Sequence, residues 1–254
     1  ERSQRRPGRR RAQICEHLAR KGSVSVEELS EQSGASPETI RRDLTALAES
    51  GRLRKVHGGA RALEQAGEGE MQARMRENVL AKQVIAEKAA ALVTPGSVLF
   101  IDTGSTTLFA ARELARIRRL TVITNSLDVA TTLAGGSGGA QVFLLGGAFR
   151  AGNAQSVGAE AVQQAGLYHA DMALLTVAAL STQGAMDYSA REAQLARAMI
   201  ANAETCAIMA DHSKLKKQAT HRVCALSQVD YLLTDRTPQE NLKESLKKNR
   251  VSLG

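Results

Sequence analysis

Between residues 98 and 235 six short apolar runs recur: VLFID (98–102), LTVIT (120–124), QVFLL (141–145), DMALLTV (171–177), TCAIMA (205–210) and YLLTD (231–235). Helix-forming stretches near 108–116, 127–133, 159–165 and 190–202 separate them. Strands apolar along their whole length must be covered on both faces. Crossover helices on a parallel sheet do that, so the pattern predicts an α/β fold with a parallel sheet. There is no repeat of solenoid period, and Gly135 to Gly139 reads as an isolated flexible loop.

In such sheets ligands bind beyond the carboxyl ends of the strands. The loop after the first run, Asp102-Thr-Gly-Ser-Thr-Thr107, enters a helix. Gly104 permits close backbone approach there. The N–H groups and hydroxyls of Ser105, Thr106 and Thr107 converge at the helix N-terminus, an anion cradle without a Walker-type lysine. Asn125 follows the second strand, Gly146-Gly147 the third, and Asp211-His-Ser-Lys214 the fifth. One at a time these have structural explanations: helix caps, a turn, a surface lysine. Their shared place at strand ends points to one site suited to a phosphorylated polyol or sugar. Lys214 would supply a point charge to phosphate, and Asp102 or Asp211 would accept from hydroxyls.

Residues 24–60 carry a different signal. Ser25 with Glu28 forms a capping box opening one helix, and Gly34 closes it. Ser36 and Pro37 open another, in which Ile40, Leu44 and Leu47 share a buried face. Glu38, Arg42 and Thr45 then point the other way, flanked by Thr39 and Arg41, which is the layout of a recognition helix in a major groove. Arg52, Arg54 and Lys55 precede a glycine turn at His57-Gly58-Gly59, the shape of a wing that brings backbone to phosphate. Two helices with solvated arginines would look similar. The double cap, the short turn and the basic hairpin together favour DNA. Residues 9–21 form a supporting helix around Ile14 and Leu18. The six arginines of ERSQRRPGRRR make either a minor-groove arm or a solvated tail.

Charge follows the same division. Residues 1–61 hold fourteen Lys and Arg against eight Asp and Glu, so +6 of the formal +8 sits there. Residues 62–70 form a linker, and one long amphipathic helix covers 71–93, ended by Thr94-Pro95-Gly96. The expected domains are 1–61, which binds DNA, and 71–254, which binds an effector. Cys15, Cys206 and Cys224 lack metal-ligand spacing, so free thiols, no metal, no cofactor and a cytoplasmic location are expected. No apolar run has membrane-spanning length.

The stretch SVEELSEQSGASPETIRRDLTALAESGRLRKVHGGA resembles the N-terminal winged helix-turn-helix of the DeoR family of bacterial transcriptional regulators. IDTGSTT, TNS, LLGG, ADHSK and LLTD resemble that family's C-terminal effector domain, which is similar in fold to ribose-phosphate isomerases. The resemblance implies that Ser36, Thr39, Arg41 and Arg42 face DNA, with the wing at Arg54, Lys55, His57 and Gly58, and that Asp43 braces a neighbouring basic residue. It also implies that Asp102, Gly104, Ser105, Thr106, Asn125, Gly147, Asp211 and Lys214 line a sugar-phosphate pocket, with Thr107 and Gly146 adjoining. One departure is Thr176-Val-Ala-Ala-Leu-Ser181 where many members are glycine-rich, which implies a narrower wall. The segment Asp187 to Glu192 resembles the family's acidic stretch near the ligand. The expected function is a repressor of carbohydrate or polyol genes, bound to double-stranded operator DNA as a homodimer or homotetramer and released by a phosphorylated sugar or polyol. An isomerase-like enzyme with an appended DNA module is the alternative, using Asp102, Glu192 and Lys214. Against it stands the lack of a second carboxylate beside the loop carboxylate. An effector-independent architectural DNA binder is the third reading.

Overall fold

The computed structural model describes residues 2–49, 53–62, 71–215 and 217–254, with backbone alone at 2–9, 19, 20 and 62. The chain divides into two units, Glu1–Gly69 and Glu70–Gly254. Most of the expected linker, and Arg52 of the basic hairpin, lie outside the described residues.

The first unit contains α1 (Arg2–Lys21), β1 (Ser23–Ser25), α2 (Val26–Ser33), α3 (Pro37–Glu49), β2 (Leu53–Val56) and β3 (Gly59–Ala62). The helix α1 starts at Arg2, so the backbone of the arginine-rich run is helical; arginine is a good helix former. Ile14 and Leu18, one turn apart on α1, pack with Val24, Leu29, Ile40, Leu44, Leu47 and Leu53. Ser25 Oγ accepts the Glu28 N–H at 3.0 Å and Gly34 adopts φ 64°, as the caps require. The Glu28 carboxylate engages Lys21 and His17, so the reciprocal half of the expected capping box is spent elsewhere. The strands order β1-β3-β2, antiparallel. A Cβ at Gly59 would sit 2.1 Å from Val24 O, so glycine there is what lets the hairpin close on β1.

The second unit opens with α4 (Met71–Arg76) and α5 (Val79–Leu92), where the sequence predicted one helix. The break has an identifiable cause. Asn78 takes a left-handed φ of 50°, which asparagine tolerates, and the Lys82 ammonium donates to the terminal carbonyls of α4 at Arg74 and Glu77. Then follow β4 (Val98–Ile101), α6 (Ser105–Leu114), β5 (Thr121–Thr124), α7 (Leu127–Ala134), β6 (Gln141–Leu144), β7 (Ala148–Arg150), β8 (Gln155–Val157), α8 (Ala159–Ala165) and β9 (Ala170–Thr176). The rest comprises β10 (Ala179–Ser181), β11 (Gly184–Asp187), α9 (Ala190–Ala201), β12 (Ala203–Met209), β13 (His221–Cys224), β14 (Tyr231–Leu233), α10 (Glu240–Lys248) and β15 (Ser252–Leu253).

All six predicted runs join one parallel sheet, ordered β15-β14-β12-β9-β4-β5-β6. Alternate residues feed two apolar layers, as a pleated strand dictates. Phe100, Ile123, Leu175 and Ile208 pack with α8, α9 and α10. Leu99, Val122, Leu174 and Met209 pack with α5, α6 and α7. From β4 the chain first adds β5 and β6 on one side, then β9, β12, β14 and β15 on the other. The order therefore reverses between β4 and β9, where the crossovers part and leave a crevice.

Candidate functional site

On α3 the buried residues Ile40, Asp43, Leu44 and Leu47 leave Glu38, Arg41 and Arg42 outside. The Arg41 and Arg42 side chains are 54% and 81% exposed, with Glu38 3.9 and 3.6 Å away. Such surface pairs contribute about 0–1 kcal/mol, so either arginine can leave Glu38 for a stronger anion. Ser36 caps the helix: its Oγ accepts the Thr39 N–H at 3.3 Å and lies 2.9 Å from the half-buried Thr39 hydroxyl. Arg54, Lys55, His57 and Gly58 are exposed on the hairpin, Gly58 turning at φ 76°. Lys55 does not simply stand out from it, since its Nζ donates to Thr45 Oγ1 at 2.9 Å and ties β2 to α3. Asp43, only 3% exposed, accepts from Arg10 Nε at 2.5 Å and Arg11 Nε at 2.8 Å. One carboxylate thus fixes the supporting helix against the arginine-bearing one.

In the second unit Asp102 ends β4 beside the point where strand order reverses. Both carboxylate oxygens accept the Thr176 N–H, at 3.1 Å each, and the Thr176 hydroxyl donates to Met209 O at 3.2 Å. These bonds lace together the ends of β4, β9 and β12. The loops 102–107 and 211–214 accordingly flank β9, about 10 Å apart at two strand spacings. Gly104 has extended backbone, yet a Cβ there would lie 2.3 Å from Thr176 Cγ2, so the threonine methyl fills the space over it. Because Gly104 is the N-cap of α6, no side chain caps that helix. The first-turn N–H groups of Ser105, Thr106 and Thr107 have no intrahelical partner, and the helix dipole favours negative charge there. The Thr107 hydroxyl turns back to Gly104 O at 2.9 Å instead of standing ready as a donor.

Asn125, 2% exposed at the end of β5, commits its amide N–H groups to Ser156 O at 3.0 Å and Gln155 Oε1 at 3.3 Å. Its Oδ1 has no donor among the described residues. The residue therefore offers acceptance only. Gly146 gives its N–H to Gln164 Oε1 at 2.8 Å, and Gly147 turns at φ 124° with Val157 O 2.8 Å from a built Cβ; the pair shapes the passage from β6 to β7. Asp211, 1% exposed, accepts from Ser213 N at 2.8 Å and from Asn78 Nδ2 at 3.3 Å. Burial, with Lys217 nearby, pushes the Lys214 ammonium down to about 7. The neighbouring His212 gives its N–H to Asp235 Oδ1 and pairs its Nδ1 with Oδ2, both at 2.7 Å.

Sequence reasoning placed Asp187 and Glu192 near the ligand but missed Arg74. Burial raises the Asp102 carboxyl well above the usual range against the Thr176 N–H, and the charges of Asp187 and Glu192 raise it further. Burial likewise raises Asp187 and Glu192. Arg74 of α4, 7% exposed, faces all three carboxylates and donates to Asn153 Oδ1 at 3.3 Å. Gln155 Nε2 donates to Glu192 Oε1 at 3.0 Å, joining this group to Asn125. Two carboxylates from β11 and α9 thus lie within electrostatic reach of Asp102, where the sequence offered none beside it. Among the described residues no group of three His, Cys, Asp or Glu is placed to hold a metal ion, and no helix is long and apolar enough to cross a membrane.

The DeoR-like helix-turn-helix domain matches residues 10–66 and the DeoR C terminal sensor domain matches residues 77–236. The chain is 33% identical over 245 residues to the glycerol-3-phosphate regulon repressor of Haemophilus influenzae, covering 96% of this chain and 95% of that one. It is 31% identical over 241 residues to the glycerol-3-phosphate regulon repressor of Escherichia coli, covering 94% and 95%. Among solved structures, ribose 5-phosphate isomerase A from Methanocaldococcus jannaschii aligns over 56% of each chain at 23% identity with a TM-score of 0.41. Two matched domains in this order, with relatives aligned along nearly their whole length, make this chain a member of the DeoR family of transcriptional regulators.

Proposed function

We propose that this regulator is a repressor, not an enzyme, acting in the cytoplasm, and that a phosphorylated polyol or sugar releases it from double-stranded operator DNA. The observation that carries the reading is the uncapped first turn of α6 beside Asp102 at the point of strand reversal. In this reading the N–H groups of Ser105, Thr106 and Thr107 hold phosphate oxygens with Lys214 as the counter-charge. Asp102, Asp211 and Asn125 Oδ1 accept from hydroxyls, and Gly104, Gly146 and Gly147 give the backbone its close approach. Ser36, Thr39, Arg41 and Arg42 read the major groove, and Arg54, Lys55, His57 and Gly58 meet the phosphate backbone. One recognition helix reads few base pairs, so a homodimer or homotetramer on repeated half-sites is required for specificity. Release needs only that the ligand bind the DNA-incompetent arrangement more tightly than the competent one. The repressors of glycerol-3-phosphate regulons among the relatives support this choice of ligand class.

The test is a thermal-shift panel of phosphate monoesters that includes glycerol 3-phosphate and ribose 5-phosphate. A ligand should stabilise as RT ln(1 + [L]/Kd) and then lift the chain from a mapped operator in a gel shift. No stabilisation across the panel would leave the architectural DNA-binder reading standing. The carboxylates gathered around Asp102 favour a second reading, catalysis; turnover of a panel member that Asp102→Ala abolishes would establish it.

A further inference from the structure

The helix α4 is the first described element after the segment that joins the two units, and its one buried cation points back into the cleft. Arg74 exerts its charge on Glu192, then Asp187, then Asp102, and binds Asn153 in the turn between β7 and β8. Its carbonyl is held by the Lys82 ammonium, which also faces Asp211. Asn78, in the left-handed break after α4, donates to Asp211 Oδ1 at 3.3 Å and to Ser213 Oγ at 3.4 Å. The corner between α4 and α5 is therefore bonded to the 211–214 loop and to the β7–β8 turn, and its arginine acts by charge on Asp102 of the other loop.

Fastening of this kind is exchangeable. Asp102 and Asp211 are the groups a polyol's hydroxyls need; Asn125, whose Oδ1 is buried without a donor among the described residues, is linked through its Nδ2 and Gln155 to Glu192. A ligand bonding to these acceptors redistributes the field that holds Arg74. A guanidinium buried among carboxylates is stable only while they remain its partners. We propose that Arg74 is a positioning residue which holds α4 to the empty cleft, and that effector binding loosens this hold and so reports occupancy to the segment leading to the DNA-binding unit. This inference rests on the sugar-phosphate reading above.

The experiment compares full-length wild type and Arg74→Gln in two measurements: thermal shift with glycerol 3-phosphate and ribose 5-phosphate, and operator affinity with and without the same compounds. Wild type should show an affinity ratio in the range of about 5–150-fold. R74Q should still be stabilised by the probe that stabilises wild type. It should bind operator as weakly as liganded wild type, with a ratio under about 2-fold, and Arg74→Lys should restore part of the ratio. A merely structural role would lower stability without collapsing the ratio. If R74Q does not fold, Glu192→Gln weakens the same hold from the cleft side: a reduced ratio supports the inference, and a wild-type ratio overturns it. Release of wild type and R74Q alike overturns this inference alone, whereas a wild type indifferent to every probe sinks the sensing reading and this inference with it.

Discussion

The contact between Gly104 and Thr176 makes a quantitative prediction. Gly104 has φ −179°, so alanine is free of backbone strain and the cost of Gly104→Ala is purely steric. The new methyl would meet Thr176 Cγ2 at 2.3 Å and Thr107 Oγ1 at 3.3 Å. Thr176 cannot rotate away cheaply, because its hydroxyl is bonded to Met209 O at 3.2 Å. Either that bond, at about 1 kcal/mol, is lost with a poorer rotamer, or the α6 start moves; overpacking of this kind costs about 1–3 kcal/mol. A loss near 2 kcal/mol should lower the melting midpoint of a unit this size by roughly 4–8 °C. Thr176→Ser removes the offending methyl, keeps the hydroxyl, and alone should cost about 1 kcal/mol. The double variant should therefore sit near about 1 kcal/mol below wild type and not near 3, a coupling of about 2 kcal/mol in a double-mutant cycle. Phosphate monoester affinity should fall in G104A, as the N–H groups of residues 105–107 shift, and return in the double variant. Urea titration of all four chains decides the matter. Additive losses, or a G104A chain as stable as wild type, would refute the packing argument.

Further outcomes follow from the same geometry. Arg42→Ala should weaken binding to a mapped operator by about 1–3 kcal/mol if the side chain reaches a base, and Lys55→Ala should reduce the salt slope by about 1; gel shifts across a salt series check both. Asp43→Asn leaves Arg10 and Arg11 without their shared carboxylate and should destabilise the DNA-binding unit by about 2–3 kcal/mol, less than a fully buried pair because Arg11 is 41% exposed. Lys214 titrates near 7, so its charge, and calorimetric affinity for a phosphate monoester, should decline between pH 7 and 9, a decline that Lys214→Met abolishes along with most of the affinity. Asp187 and Glu192 are raised by burial, so their contribution to stability, present below the ordinary 4.5 of a glutamate, is lost as pH rises through the raised values. Glu192→Gln should flatten that decline, read as the melting midpoint across a pH series.

What could be read from residue order was what depends on local periodicity. The six apolar runs became six neighbouring strands because a strand covered on both faces leaves an uninterrupted signature, and Ser25, Gly34 and Ser36 announced helix ends through chemistry confined to four residues. The small strands β7, β8, β10, β11 and β13 gave no such signature, since they lie outside the parallel sheet and polar residues or glycine interrupt their apolar positions. The break at Asn78 was hidden because its cause, the Lys82 ammonium on the carbonyls of Arg74 and Glu77, is a bond and not a pattern. Arg74 was illegible for the same reason. Nothing in MQARMREN marks one arginine as buried, and only the tertiary fold sets it against Glu192, 118 positions later.

The carboxylates around Asp102 reopen the question of catalysis, and the bonds at Asp102 bear on the answer. A general base must present a lone pair to the proton it removes, with freedom to settle at hydrogen-bond distance in the bound complex. Both oxygens of Asp102 already take the Thr176 N–H at 3.1 Å, a bifurcated bond that fixes the plane of the carboxylate to the end of β9. A fixed plane suits recognition, where hydroxyls adapt to the acceptor, better than proton transfer, where the acceptor follows the reacting carbon. Burial raises all three carboxyls, Asp102 the most plainly, so none is held in the readily ionised form that a base at neutral pH needs. What the cluster does supply is a buried cation whose place depends on the carboxylates around it, so that ligand chemistry at those carboxylates bears on Arg74, as its proposed positioning role requires.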